Sequence, residues 1–314
     1  MASLKEIKTR IASVRNTLKI TSAMKMVAAA KLHHAQQVTL GMHPYEEHLH
    51  GILSNLIASQ QVMESFDSHL VASEHFALDT LPVKGDAKRV ALVAFSSNSS
   101  LCGGFNANVI RLFTNIVQNL KEHGFTMTDI DVYAVGRKIA DASRRMGLKP
   151  LLESPENADH PTYEGAADLA ETLITAFAED KVDQIILVYN HYASTASQPS
   201  LHENYLPLVL PRPSRAEAKA AAAAGEIPDE DSYCILEPSG AEVLQELLPK
   251  VLKLKIFSVL LDANAAEHAA RTVAMQIASD NAEKLLDELT LQYNKSRQQK
   301  ITAEILDLVG GLQR

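Results

Sequence analysis

The residues best placed to do chemistry form a short run, Leu-Cys-Gly-Gly-Phe-Asn, at positions 101 to 106. The run follows an apolar segment and opens a helical pattern, which is where backbone N–H groups hold a phosphate in nucleotide-binding folds. It has neither the glycine spacing of a dinucleotide site nor the lysine of a phosphate-binding loop. We therefore interpret the glycines as serving a tight strand-to-helix turn, with anion binding as the alternative.

Cysteine and histidine side chains offer two further sites for chemistry. Cys102 could act as a nucleophile, but no partner base can be assigned to it, so a small buried thiol is the better interpretation. A group of histidines follows the first thirty residues: His33, His34, His43, His48 and His50. Glu46 and Glu47 lie among them, so a metal could bind there. Because Pro44 disturbs the local helical spacing, we predict a surface cluster that titrates near neutral pH and no metal site.

A polar stretch, Asn294 to Lys300, interrupts a long apolar stripe near the carboxyl end. No Gly or Pro occurs between 250 and 309, and strong helix formers dominate, which predicts a single long helix. Apolar residues recur every three or four positions on both sides of the polar stretch: Ala274, Ala278, Ala282, Leu285, Leu289, Ile301, Ile305 and Leu308. The polar stretch predicts a contact with a partner, with a solvated helix face as the alternative.

A second long helix is predicted at the amino end. Leu4, Ile7, Ile11, Val14 and Leu18 follow a heptad pattern, which Thr21, Lys25 and Thr39 break. Two terminal helices of roughly 40 residues would each reach about 60 Å, so they would project from the domain between them. We predict an antiparallel coiled coil, with two helices lying flat on one large domain as the alternative.

The middle of the chain alternates strand and helix patterns, which indicates an α/β domain with a mainly parallel sheet. Strands are predicted at 87–97, 129–136 and 182–194, and a fourth at 233–236. Helices are predicted at 106–122, 137–146 and 163–179. The fold class is thus α/β, with a long antiparallel coiled coil of the terminal helices.

These patterns divide the chain into four parts. An amino-terminal coiled-coil helix covers 1–58, an insertion or linker 59–87, the globular domain 88–240 and a carboxy-terminal coiled-coil helix 241–314. An Ala-rich insertion at 213–231 interrupts the globular domain, and we assign no chemistry to either insertion.

Composition limits the classes of protein that remain. The hydrophobic content of 46% supports a buried core, and two cysteines provide neither a disulfide framework nor a metal quartet. We predict no signal peptide and no membrane span. The net charge is −8, yet residues 1 to 40 hold seven basic residues and one acidic residue. That basic helix predicts an acidic partner, but no base-reading motif accompanies it, so a nucleic-acid scaffold is only an alternative.

Three segments resemble a known family. The amino-terminal segment 5–32, the run at 99–110 and the carboxy-terminal segment 267–305 are similar to the gamma subunit of the F-type ATP synthase. This resemblance implies a central rotor shaft, which couples proton flow through a membrane ring to ATP synthesis or hydrolysis. It implies that catalysis and nucleotide binding belong to the beta subunits, so no cofactor is expected here. The α/β nucleotide- or anion-binding enzyme and the nucleic-acid scaffold remain as alternatives.

The resemblance also implies partners and a location. The expected partners are the alpha and beta subunits of the catalytic hexamer, the epsilon subunit and the membrane c-ring. Association with the membrane would occur only through these partners, at the cytoplasmic face of the bacterial inner membrane.

Six residues match family positions that contact partners. Met24 and Lys25 match a segment that faces an acidic loop of the beta subunits, and Arg271 matches a position near the base of the coil. An alternative for Arg271 is an i, i+4 pair with Glu267, worth only a few tenths of a kcal/mol.

The other matches lie in and beside the polar stretch: Arg297, Gln298 and Thr302. In the family these positions hydrogen-bond to a catch loop on one beta subunit. The ending EILDLVGGLQR departs from the shorter Gly/Ala-rich end of the family, so contacts of the extreme tip do not carry over.

Overall fold

The computed structural model describes residues 4–58, 70, 82, 87–208, 237 and 239–311. The described residues form eleven elements, which make up two long terminal helices and an α/β domain between them. The helices are α1 Leu4–Ala58, α2 Phe105–Glu122, α3 Arg137–Arg145, α4 Pro155–Asp159, α5 Tyr163–Ala178 and α6 Gly240–Gly311. The strands are β1 Val90–Phe95, β2 Ile130–Val135, β3 Leu152–Glu153, β4 Gln184–Asn190 and β5 Ser200–Leu206.

The sheet has the order β3-β2-β1-β4-β5. Strands β3, β2, β1 and β4 are parallel, and β5 pairs with β4 in the antiparallel direction. Val90 at the start of β1 lies level with Ile130 on one side and Gln184 on the other. Every residue of β1, β2 and β4 is buried, as expected where helices cover both faces of a parallel sheet.

Two apolar cores cover the faces of the sheet. On one face α2 contributes Phe113 and Leu120, which pack against Leu92 and Val132. On the other face α5 packs together with α6, whose Ile256 belongs to the same cluster as Phe95 and Leu173 of this face. The carboxy-terminal helix is therefore part of the core of the globule as well as part of the projecting coil.

The predicted strands and helices of the α/β domain are confirmed to within a few residues, and so is the fold class. Strand β5 was not predicted, because Ser-Leu-His-Glu-Asn-Tyr-Leu has no β-branched residue and forms only by pairing with β4. The predicted strand at 233–236, the Ala-rich insertion 213–231 and, apart from 70, 82 and 87, the insertion 59–87 lie outside the described residues.

Both terminal helices are longer than the roughly 40 residues used to estimate their reach. Helix α1 has 55 residues and continues through Pro44, and α6 has 72 residues and contains Pro249. A proline in the interior of a helix costs one backbone hydrogen bond, so tertiary packing must hold the helix together there. Leu53 and Leu56 of α1 pack on Leu244 of α6 and supply that packing.

The two long helices form an antiparallel pair with one constant register. Thr21 is hydrogen-bonded to Ser279, Ala35 lies in one cluster with Ala265, and Leu56 lies in one cluster with Leu244. The residue numbers of each of these pairs add to 300. By this register, the first described residue of α1 lies level with residue 296 of α6. The last turns of α6, up to Gly311, therefore extend beyond the described part of α1 as a single helix.

Candidate functional site

The Leu-Cys-Gly-Gly-Phe-Asn run forms a tight turn between β1 and α2. Leu101 and Gly103 have positive φ angles of 68° and 59°, so the turn needs a left-handed conformation twice. The side chain of Asn106 fixes the turn from within: its Oδ1 accepts from the backbone N–H of Ser97 at 3.1 Å and its Nδ2 lies 3.1 Å from Cys102 Sγ. The polar groups of the run thus serve the turn itself.

The carboxy-terminal helix fills the crevice where a nucleotide would bind in a fold of this topology. That crevice lies at the carboxyl ends of neighbouring strands where the strand order reverses, here β1 and β4. Cys102 and Phe105 pack directly on Ala266 and Ala270 of α6. A Cβ atom at Gly103 would lie 3.6 Å from that of Ala274, so this glycine already approaches α6 closely.

A small cavity remains beside the ends of β1 and β2. It is lined by Phe95, Ser96, Val135, Asn264 and Glu267 among others, and it has room for about one water molecule. Its size does not fit a nucleotide. The interpretation of the glycines as structural therefore agrees with the packing around them.

Arg271 is buried at the base of the coil. Its guanidinium lies 2.5 Å from Glu267 Oε1 and donates to the carbonyl of Ser100 at 2.6 Å and to Ser99 Oγ at 2.9 Å. The residue is only 8% exposed, so its contacts in this structure are all within the chain. The i, i+4 pair with Glu267, which was the alternative for Arg271, is present. Both partners are buried, so the pair is not of the exposed kind that is worth a few tenths of a kcal/mol. The fork of donors also joins α6 to the β1–α2 turn.

Burial dominates the electrostatics of this region. Loss of solvent raises the pKa of Glu267 above its ordinary value, although the hydrogen bond and charge of Arg271 act to lower it. Burial also lowers the pKa of His268 from 6.5 to about 4, and the charges of Lys31 and Arg271 act in the same direction. The Nδ1 atom of His268 is buried and has no hydrogen-bond partner among the described residues. His268 is therefore neutral at physiological pH.

A second set of polar contacts joins the coil to the sheet. Asp262 of α6 accepts from the backbone N–H of Tyr192 at 2.8 Å, and its other oxygen lies 2.6 Å from His191 Nδ1. The hydroxyl of Tyr192 in turn accepts from Gln36 Nε2 of α1 at 2.9 Å. Sequence reasoning missed this group, because nothing in the local pattern indicates that three distant segments meet at one tyrosine.

The middle of the coil carries Met24 and Lys25, both of which are half-buried. Three large apolar side chains nearby are exposed on α1: Ile20, Met26 and Val27. Residue Thr21, which breaks the heptad pattern, nevertheless lies in the seam and is 8% exposed. Its hydroxyl oxygen is 2.8 Å from that of Ser279 on α6.

The residues predicted at the polar stretch lie where α6 leaves its partner helix. Arg297, Gln298 and Thr302 are all exposed. The hydroxyl of Thr302 donates to the backbone carbonyl of Gln298 at 2.9 Å, and the exposed side chains of Arg297 and Gln298 are accessible to a partner. Ile301 and Ile305 on the same turns are 46% and 54% exposed.

Two other predictions concern metals and membranes. Within the described residues, no group of three or more His, Cys, Asp or Glu side chains could hold a metal ion. His33, His34 and His48 are exposed on α1, while the side chains of His43 and His50 lie outside the described residues. None of the described helices is both long and apolar enough to cross a membrane.

Comparison with known proteins identifies the family. The family model described as ATP synthase matches residues 3–313. The chain is 51% identical over 311 residues to the ATP synthase gamma chain of Phocaeicola vulgatus, and the match covers 99% of each chain. It is 47% identical to the ATP synthase gamma chain of Bacteroides fragilis, again over 99% of each chain.

Solved structures show the same fold. A chain of the Euglena gracilis mitochondrial ATP synthase superposes with a TM-score of 0.60 at 20% identity, covering 99% of this chain and 93% of that one. A chain from the central stalk and c-ring of the Tetrahymena thermophila enzyme gives 0.57 at 22% identity, covering 83% and 99%. On the evidence of these sequences and this fold, the chain belongs to the family of ATP synthase gamma chains.

Proposed function

We propose that this chain is the central rotor shaft of an F-type ATP synthase. The observation that carries the proposal is the two-helix coil that projects from the α/β domain and ends in a single exposed helix. Such a rod is long enough to pass through a ring of subunits, since 72 residues of helix extend about 108 Å. Its base is a globule whose usual ligand crevice is filled by the rod itself.

The rod acts through its asymmetry. A single coil in a ring of three catalytic beta subunits presents a different face to each, so it favours a different nucleotide affinity at each site. Rotation of the rod moves these preferences from one subunit to the next. Because coupling between binding equilibria is reciprocal, nucleotide turnover in the ring can also rotate the rod.

The chain itself contributes no catalytic residue in this proposal. ATP is made or hydrolysed on the beta subunits, where nucleotide and magnesium bind. The packing of Ala266 and Ala270 on the turn after β1 supports this assignment, because a nucleotide could enter only by displacing α6.

Contacts with the ring lie along the exposed part of the coil. Met24 and Lys25 would face the acidic loop of the beta subunits, next to an exposed apolar surface that includes Met26 and Val27. An unbranched methionine suits a surface that must meet three copies of one partner in succession.

The single-helix end of α6 would reach a catch loop on one beta subunit. Arg297 offers a planar fork of donors for a carboxylate, and Gln298 adds an amide group. Contacts that break at every step of rotation are better served by exposed hydrogen bonds of ~1 to 3 kcal/mol than by deep apolar packing. Thr302 lies one turn beyond and belongs to the same face.

Arg271 would act differently from the other five residues. Its guanidinium is committed to Glu267 and to the turn that contains Ser99 and Ser100. We propose that it supports the hexamer's lower loops only indirectly, by holding that turn against α6. The epsilon subunit and the membrane ring would bind the globule, and the chain would then lie peripherally at the cytoplasmic face of the inner membrane.

Co-purification tests the proposal. A tagged chain expressed in its native cells should bring down the alpha and beta subunits from solubilised membranes, and the isolated chain should not hydrolyse ATP. Recovery of the tagged chain without the hexamer would contradict the proposal.

Matched variants locate the contact. Ile301→Asp with Ile305→Asp should reduce recovery of the hexamer, because both exposed apolar side chains would become charged. The control is Gln299→Asp with Ala303→Asp, which adds the same charge at the same spacing on exposed positions of the same helix. Equal recovery with both double variants would show that the apolar face at the end of α6 does not contact the ring.

A further inference from the structure

Thr21 and Ser279 form a polar layer inside the apolar seam of the coil. They lie on opposite helices, are 8% and 6% exposed, and place their hydroxyl oxygens 2.8 Å apart. Buried Met275 and Ala282 lie about one turn to either side on α6, and buried Ala28 follows on α1. Apolar side chains, whose contacts do not depend on direction as hydrogen bonds do, thus enclose the two hydroxyls.

The direction of the hydrogen bond follows from the number of protons. Thr21 Oγ1 also lies 3.1 Å from the carbonyl oxygen of Leu18, which can only accept. A hydroxyl has a single proton to donate, so Thr21 gives its proton to Leu18 and accepts one from Ser279. The hydroxyl of Thr21 therefore links Ser279 of α6 to a backbone carbonyl of α1.

We infer that the Thr21–Ser279 pair prevents the two shaft helices from sliding along each other, and thereby positions Met24 and Lys25 for their partner. This inference rests on the proposed function as a rotor shaft. Interdigitated apolar side chains can form equivalent contacts again after a slide of one helical turn, whereas the hydrogen bond between these two hydroxyls exists in one register only. A displacement of about 3 Å, the rise of two residues, would separate the two hydroxyl oxygens beyond bonding distance.

The place of the pair along the coil gives it this role. Below it, α6 is fixed in the globule by a run of buried residues from Ala265 to Arg271. Above it, both helices are held mainly by each other. Met24 and Lys25 lie three and four residues after Thr21, one turn closer to the globule, between the pair and the segment where Ala35 packs in one cluster with Ala265. A twisting load on a two-helix rod pushes one helix along the other, so the pair holds the outer end of the segment that carries Met24 and Lys25 at one height against α6.

The test uses the assembled complex and removes only hydroxyl groups. Thr21→Val with Ser279→Ala deletes the layer while keeping the seam apolar. The matched control is Thr17→Val. Thr17 is exposed, and its hydroxyl, like that of Thr21, donates to a backbone carbonyl of its own helix, here that of Ser13.

Spin labels measure sliding directly. Cysteines at the exposed positions Lys8 and Asn281 carry the labels, in a background with Cys102→Ala and Cys234→Ala. Lys8 lies level with residue 292, so roughly 16 Å of the distance between the labels runs along the axis, and sliding changes that distance directly. The unmodified pair and the Thr17→Val control should give one narrow distance distribution during ATP turnover. In the double variant we expect a second population of label-to-label distances, which differs from the first by about 5 Å, one helical turn. The complex that carries this variant should also pump fewer protons per ATP hydrolysed.

Three outcomes decide the inference. A distance distribution in the double variant as narrow as in the control would overturn it, and so would unchanged pumping per ATP. Thr21→Ser with Ser279→Thr, which exchanges the two side chains but keeps both hydroxyls, should restore the single population and the pumping ratio. Failure of the unmodified chain to co-purify with the hexamer would refute the proposed function instead, and that result is obtained before any variant is made.

Discussion

Replacement of Arg271 by Ala is expected to destabilise the chain severely. In the structure its guanidinium is paired with Glu267 and bonded to Ser99 and Ser100, and the pair is almost fully buried. The variant leaves the carboxylate of Glu267 buried without its cation, and breaks two bonds that join α6 to the turn after β1. The base of the coil would therefore lose its attachment to the sheet.

The magnitude follows from the burial of the two side chains. Removing one partner of a buried ion pair costs roughly 3 to 5 kcal/mol, since the remaining charge has no compensation. The matched control is Lys250→Ala. Lys250 and Glu246 have the same spacing on the same helix, but they are 3.9 Å apart and their side chains are 59% and 84% exposed. An exposed pair of this kind contributes about 0 to 1 kcal/mol.

Urea unfolding of the purified chain, followed by circular dichroism, measures both effects. We expect the free energy of unfolding to fall by several kcal/mol for Arg271→Ala and to stay nearly unchanged for Lys250→Ala. The double variant Arg271→Met with Glu267→Leu should recover much of the loss, because it removes both charges and fills similar space. Equal midpoints for Arg271→Ala and Lys250→Ala would refute the reasoning.

Three other predictions concern the coil and its pH dependence. Met24→Lys should add an attractive contact to an acidic loop and reduce proton pumping per ATP without preventing assembly; an unchanged ratio would count against this assignment. Arg297→Ala with Gln298→Ala should leave the complex assembled but reduce ATP synthesis and hydrolysis. The control Gln299→Ala, at a neighbouring exposed position, should leave both rates unchanged. Normal turnover in the assembled double variant would remove Arg297 and Gln298 from the mechanism. The folded-state pKa of His268 is lowered to about 4, so the unfolded chain takes up the proton first as the pH falls. Stability should therefore drop by up to about 3 kcal/mol between pH 6.5 and 4, and His268→Gln should remove this drop in urea titrations at each pH; an identical drop in the variant would contradict it.

Local patterns predicted most of the α/β domain. Strands β1, β2 and β4 are rich in β-branched and apolar residues because both of their faces are buried, and that composition is visible in the sequence. Strand β5 has a mixed composition and depends on a neighbour that is distant in the chain. Helix α1 continues through Pro44, a residue that normally ends a helix, because packing along α6 outweighs its local cost.

The exposure of the proposed contact residues was predictable only where their surroundings did not matter. Arg297, Gln298 and Thr302 lie in a polar stretch that is exposed, as its composition indicates. Arg271 looks like an ordinary surface pair in the sequence, since the spacing to Glu267 is the same whether the helix is buried or exposed. Thr21 was interpreted as a break in the heptad pattern, because nothing near it shows that Ser279 lies opposite.

Rotation observed in a single complex tests the central claim most directly. A biotin is attached to a cysteine in place of Lys149, which is exposed on the globule, and a bead or rod is bound to it while the catalytic hexamer is fixed to a surface. On addition of ATP the account predicts unidirectional rotation of the globule in steps of one third of a turn. A globule that stays fixed relative to the hexamer while ATP is hydrolysed would contradict it.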